Sequence, residues 1–173
     1  MAVKNILILD CETTGLFVSK GAELIEVGAL LYNLEHRKVL QTCSAFLPCV
    51  TNDAFHINQI EPAWTQQANG YAAIEFILEM AYEADYIVAH NAQFDREFMA
   101  TVIVRPHAFW DIPWVCTKND FVWPAKMPRN RLQDLCNAMG VAYIDAHRAL
   151  TDCQFLADCF SRVPDLQARF DLV

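Results

Sequence analysis

The chain has 173 residues, 54% of them hydrophobic, only five glycines and a formal charge of −8. That length and apolar content suit one domain spanning residues 1–173 with a substantial core. The acidic balance argues against a protein that grips long nucleic acid through a basic surface, because neutralising many phosphates takes Lys and Arg in quantity, but it leaves room for an enzyme that handles a short end.

In chain order, Asn5 to Leu9 is a short apolar run of strand type that ends at Asp10. Glu23 to Asn33 and Val39 to Phe46 read as two further strands joined by the charged turn Glu35-His36-Arg37-Lys38, an antiparallel meander. Ile74, Ile77, Leu78 and Ala81 recur at helical spacing and lead into Tyr86-Ile87-Val88-Ala89, a fourth strand. Phe94, Phe98 and Val102 mark the next helix. Val104 to Pro128 is rich in Trp, Pro and Phe and follows neither period clearly; Trp114-Val115-Cys116 is its candidate for a fifth strand. Asn130 is expected to cap a helix carrying Leu132, Leu135, Cys136 and Met139 on one face, with Gln133 three residues on and Gly140 at the stop. The last helix carries Ala149, Cys153, Leu156, Ala157 and Phe160 and ends before Pro164. Three early strands followed by alternating helices and strands predict an α/β fold, a mixed sheet with helices on both faces.

The seven cysteines, Cys11, Cys43, Cys49, Cys116, Cys136, Cys153 and Cys159, are an odd and scattered set without a C-x-x-C pair. They read as reduced thiols, mostly filling the core, rather than zinc ligands. The first apolar run is too brief for a secretory signal and no stretch is long and apolar enough to span a membrane, so a soluble, cytoplasmic protein is expected.

Three short motifs carry the chemistry. In Asp10-Cys11-Glu12-Thr13-Thr14-Gly15, strand alternation puts the carboxylates of Asp10 and Glu12 on one side of the chain. Two like charges so close repel unless a cation or a proton sits between them, and hard oxygen ligands favour magnesium or manganese over zinc. An isolated Asp-x-Glu is more often two solvated acids at a strand end. In His90-Asn91-Ala92-Gln93-Phe94-Asp95, Asp95 falls at a helix start, where an acid is also favoured by the macrodipole alone. In His147-Arg148-Ala149-Leu150-Thr151-Asp152, five helical steps turn by about 140°, so His147 and Asp152 share a site only if the histidine precedes the helix on a loop.

Together and in this order, the three motifs resemble those of the DEDD superfamily of 3′-to-5′ exonucleases in its histidine subtype, which includes proofreading subunits of bacterial replicative polymerases and oligoribonucleases. The resemblance runs from Ile6 to about Phe160. Phe55-His56-Ile57, within Ala54 to Ile60, is similar to a family segment that faces the terminal nucleotide. Trp114-Val115-Cys116-Thr117 with Trp123-Pro124 is similar to the stand-alone exodeoxyribonuclease X type. The tyrosine subtype would need a tyrosine four residues before the last aspartate, where this chain has Arg148. The family fold is ribonuclease-H-like, a mixed five-stranded sheet flanked by helices on both faces.

The resemblance implies hydrolysis with two divalent cations, Mg2+ or Mn2+, held by Asp10, Glu12, Asp95 and Asp152, with His147 taking the proton of the attacking water. A free histidine titrates near 6.5, which suits a base working near neutral pH. Thr13, Thr14 and Leu16 are implied to meet the last nucleotide through backbone amides and an apolar wedge, His56 to stack on its base or touch phosphate, and Asn91 to support the loop; for Leu16 and Ile57 ordinary core packing is an equal reading. The implied partner is the 3′ end of single-stranded DNA or RNA, in a DNA repair or replication setting, with no membrane. A polymerase or repair protein as partner stays open, as does a homodimer, since relatives include monomers and dimers. The chain ends soon after its last helix, without the tail many proofreading subunits use to hold a polymerase, so an independent enzyme is expected. Two other readings stand beside this one: an oligoribonuclease-like enzyme on short RNA, and a catalytically silent nucleic-acid-binding domain of the same fold. The presence of all five expected residues weighs against the latter.

Overall fold

The computed structural model describes residues 3–66, 69–104, 106–144 and 147–173. Strands β1 (Asn5–Thr13), β2 (Leu24–Asn33) and β3 (Lys38–Phe46) form the expected meander, each antiparallel to the next. β4 (Tyr86–Ala89) and β5 (Trp114–Cys116) add in parallel on the other side of β1, giving the order β3-β2-β1-β4-β5. The helices are α1 (Phe55–Asn58), α2 (Pro62–Thr65), α3 (Gly70–Ala81), α4 (Ala92–Val102), α5 (Leu132–Met139), α6 (Ala149–Ser161) and α7 (Leu166–Phe170). Among the described residues no helix is long and apolar enough to cross a membrane. All seven cysteines are free, and all but Cys43 are buried.

The two-residue period of β1 sorts the core into two layers. Ile6 and Ile8 pack with Leu30 and Tyr32 of β2 against Leu135, Leu156, Phe160 and Phe170, on the side of α5, α6 and α7. Leu7, Leu9 and Cys11 pack with Val27, Ala29 and Leu31 against Ile77, Leu78, Phe98 and Met99, on the side of α3 and α4. β1 continues past its apolar run, because Asp10 and Glu12 stay in register with Gly28 and Glu26 of β2. By the same alternation these two acids project on the α6 side.

Gly28 fixes how closely α6 approaches. A Cβ at this position would stand 2.3 Å from the Leu150 backbone nitrogen and 2.5 Å from the Ala149 carbonyl carbon. No side chain fits there, so the first turn of α6 lies directly on β2.

The aromatic stretch before α5 has little regular structure, since its rings plug both layers. Phe109 sits edge-on to Trp114 at 5.7 Å on one side. Phe121 and Trp123 join Phe160 and Phe170 on the other. One expected cap is not formed: Arg131, not Asn130, holds the N-cap place of α5, and no side chain caps it. The Asn130 side chain donates instead to the Lys118 carbonyl at 3.5 Å. Gly140 ends α5 as expected, in the left-handed conformation at φ 72°.

Candidate active site

Asp10, Glu12, Asp95, His147 and Asp152 line one cleft of about 550 Å3 at the end of β1. Each arrives on a different support. Asp10 and Glu12 project from β1, Asp95 from the first turn of α4 and Asp152 from the first turn of α6. His147 precedes α6, at a left-handed φ of 65°, so the backbone turns there instead of continuing the helix. One ligand atom each from Glu12, His147 and Asp152 lies within 4.8 Å of the other two.

The site is costly to charge. Asp95 and Asp152 are only 2% and 8% exposed. Burial, reinforced by the charges of Asp95, Asp152, Glu12 and Glu26, holds Asp10 well above the usual carboxylate range. Burial, then Asp152, Glu26 and Asp95, pushes Glu12 up to about 8, with Arg148 pulling the other way. Asp95 is raised to about 7 by burial, against lowering hydrogen bonds from its own backbone and from Cys11. Asp152 is raised to about 6, again by burial first, while the charge and backbone of His147 draw it down. Four such carboxylates cannot all ionise cheaply without compensating positive charge. The buried Oδ1 of Asp152 has no hydrogen-bond partner among the described residues. An unsatisfied buried acceptor facing other carboxylates fits a hard divalent cation such as Mg2+ or Mn2+.

A second, more apolar cavity of about 320 Å3 adjoins the first. The two share Cys11, Glu12, Leu16 and Phe94 in their walls, and the second adds Thr13, Thr14, His56 and Ile57. Leu16 is 68% exposed between them, unlike a core residue. Asn58 was not singled out from the sequence, yet it ties this segment to β1: its amide donates to the Thr13 carbonyl at 3.1 Å while its oxygen accepts from Ile60 N at 3.1 Å and Asn52 Nδ2 at 2.8 Å. The Thr14 amide does not face the cavity as expected; it donates to the Glu23 carbonyl at 2.9 Å. The Thr14 hydroxyl accepts from Glu23 N, and the Thr13 hydroxyl donates to the Gly15 carbonyl. Asn91 sits at the N-cap of α4 on the wall of the first cleft, without a side-chain cap bond.

Two further arrangements escaped sequence reasoning because their partners are far apart in the chain. Glu26, 2% exposed, accepts from Arg148 Nη2 at 2.8 Å and Nε at 3.0 Å and from the Ala149 amide at 3.2 Å, so a strand residue caps α6. His90 Nδ1 lies 3.0 Å from Thr117 Oγ1 and its Nε2 3.3 Å from the Asn130 carbonyl. Burial lowers its pKa to about 4, so it stays a neutral brace on the cleft wall. Tyr143, Arg131, Leu132 and Gln133 complete that wall.

Comparison with known proteins agrees with this architecture. Residues 7–160 match the model of the RNase T exonuclease family. The chain is 25% identical over 172 residues, 97% of its length, to a DNA polymerase III PolC-type of Thermotoga petrophila. It spans 12% of that relative's length. Among solved structures, it superposes on E. coli Exonuclease I in complex with a dT13 oligonucleotide with a TM-score of 0.76 at 20% identity, covering 98% of this chain and 43% of the other. A 3′-exonuclease in a structure of histone mRNA stem-loop recognition gives a TM-score of 0.71 at 16% identity, over 94% of this chain and 82% of that one. These likenesses establish the fold.

Proposed function

The chain belongs to the exonuclease family, and from that premise we propose that it is a metal-dependent 3′-to-5′ exonuclease of the histidine subtype, releasing nucleoside monophosphates from the end of a single strand. The observation that carries this reading is the convergence of Asp10, Glu12, Asp95, Asp152 and His147, far apart in sequence, on one cleft. The names of the similar proteins, a polymerase and two exonucleases seen with DNA or RNA, support a nucleic-acid end as substrate.

Asp10, Glu12, Asp95 and Asp152 would hold two divalent cations, Mg2+ or Mn2+, which when bound supply charge stabilisation for the attacking and leaving oxygens of an in-line displacement. His147 is solvent-exposed at the cleft edge, where an imidazole nitrogen can take a proton from water and pass it to bulk solvent. The cavity with Leu16, Ile57, Phe94 and His56 accepts the terminal base through apolar and ring faces, a contact every base can make. The resemblance to the exodeoxyribonuclease X type extends the reading to an enzyme that works alone.

The test is a time course on matched DNA and RNA oligomers labelled at the 5′ end, with magnesium, manganese or chelator, beside Asp10→Asn. The expected result is a metal-dependent ladder shortening from the 3′ end that the variant does not produce, on whichever sugar the enzyme prefers. Folded, manganese-binding protein that cleaves neither oligomer would overturn the reading in favour of a silent binding domain.

A further inference from the structure

The chain is acidic overall, but its charge is unevenly placed. Between Lys118 and Arg131 stand four basic residues, Lys118, Lys126, Arg129 and Arg131, against one acid, Asp120, a local charge of +3 in a chain whose total is −8. The Asp120 carboxylate is occupied, accepting from the Cys116 amide at 2.8 Å. This basic segment is fastened to the active site. His90 meets the Asn130 carbonyl, and the Asn130 side chain donates to the Lys118 carbonyl, so the two ends of the segment are joined beside the motif that carries Asp95.

Arg131 itself forms part of the catalytic cleft wall. Its Nε and Nη2 are gripped by the two oxygens of Asp134 at 2.8 and 3.1 Å, while its side chain is 57% exposed. This fixes the guanidinium plane and leaves Nη1 without a hydrogen-bond partner among the described residues. A planar fork held in place with donors to spare suits a phosphate. Lys118 supplies the carbonyl that the Asn130 side chain bonds, and Arg129 precedes Asn130 in the chain, so both sit on the segment tied to His90 at the cleft. Arg131 thus stands on the cleft wall outside the apolar cavity of His56 and Ile57, with Lys118 and Arg129 on the segment that leads up to it.

We propose that Lys118, Arg129 and Arg131 form a phosphate track for the nucleotides upstream of the one being removed. The inference rests on the exonuclease reading. A strand whose last base lies in the apolar cavity, and whose scissile phosphate lies at the carboxylates, leaves the cleft past Arg131. The track explains how a chain of this net charge holds an anionic strand: attraction is confined to the exit of the site, while the carboxylates are reserved for cations.

The test is binding of 5′-fluorescein oligothymidylate and oligouridylate by fluorescence anisotropy over a salt series, with magnesium present and Asp10→Asn in every chain to suppress hydrolysis. Lys118→Gln with Arg129→Gln removes two track cations, and Lys4→Gln with Lys38→Gln is the charge-matched control at the other end of the sheet. Arg131 is left in place because its ion pair with Asp134 secures the start of α5. Each phosphate contact to a single strand contributes about 0.7 to the slope of log affinity against log salt, so the track variant should show a slope shallower by about 1.4 and affinity weaker on the order of 20-fold at about 0.1 M salt. The control should bind as the parent does. Equal slopes for the track variant and the control would overturn the track alone, while hydrolysis by the unaltered chain upholds the exonuclease reading. If the unaltered chain neither binds nor cleaves either probe, both fall together.

Discussion

Glu26 of β2 lies directly across the ladder from Glu12 of β1, and the two carboxylates are used in opposite ways. Glu12 faces the cleft with Asp152 and His147 within ligand distance. Glu26 is buried and engaged on both oxygens by Arg148 and the Ala149 amide. The start of α6 is therefore tied to the same pair of strands that presents the first two acids, so this ion pair, with the close seating on Gly28, locates His147 and Asp152 relative to Asp10 and Glu12.

Glu26→Gln removes the charge and keeps the shape. Charged hydrogen bonds of this kind contribute about 1.5–3 kcal/mol, and the exposed side of Arg148 argues for the lower end. The larger effect is expected on turnover, since a displacement of about 1 Å at a catalytic group can cost on the order of 100-fold. Steady-state kinetics should show kcat reduced at least tenfold, with a melting temperature only a few degrees lower. An unchanged kcat would mean that α6 is held without Glu26.

Gly28→Ala should be more damaging than an added methyl suggests. The new Cβ meets backbone atoms of Ala149 and Leu150, which cannot rotate away as a side chain would. Forcing such an overlap costs about 1–3 kcal/mol, and relief comes by lifting the first turn of α6, carrying His147 and Asp152 off the site. Denaturant melts and activity assays should both register it; full activity in this variant would contradict the close seating of α6.

His147→Ala is expected to lower turnover by roughly two orders of magnitude, the scale for a lost acid-base group. The chain should stay folded because the side chain is exposed. His147→Asn is the companion variant, since asparagine tolerates the left-handed φ of this position. Near-normal rates in both would remove the histidine from the mechanism.

The acid cluster also sets a pH dependence. Burial pushes Glu12, Asp95 and Asp152 up to about 8, 7 and 6 in the folded chain, against about 4 when unfolded. A carboxyl raised in this way favours folding fully below its unfolded pKa and withdraws that support as pH rises through its folded pKa. In chelator, the melting temperature should therefore fall between about pH 5 and about pH 8. Manganese added at the upper pH should raise it again by binding the ionised carboxylates. A melting temperature indifferent to both pH and manganese would contradict the clustering of these acids.

Much of this was legible in the sequence. Apolar periods located all five strands and the four longer helices, and the three motifs named the five cleft residues that the fold brings together. Strand β1 was read too short because Asp10 and Glu12 are polar, although their ladder with Gly28 and Glu26 keeps them in the sheet. The α5 cap was misassigned because Asn130 spends its side chain on the loop at Lys118. The contacts of Glu26 and of His90, the first residue of the second motif, were not legible for another reason: their partners, Arg148, Thr117 and Asn130, lie far along the chain, and only the folded sheet brings them into reach.

The most direct measurement follows the first product released from a single-stranded oligonucleotide labelled at its 3′-terminal nucleotide, in magnesium. That label is expected to leave as a nucleoside 5′-monophosphate in the first turnover, with none released in chelator or by Asp10→Asn. Release of the label within longer fragments, or undiminished release in chelator, would contradict it.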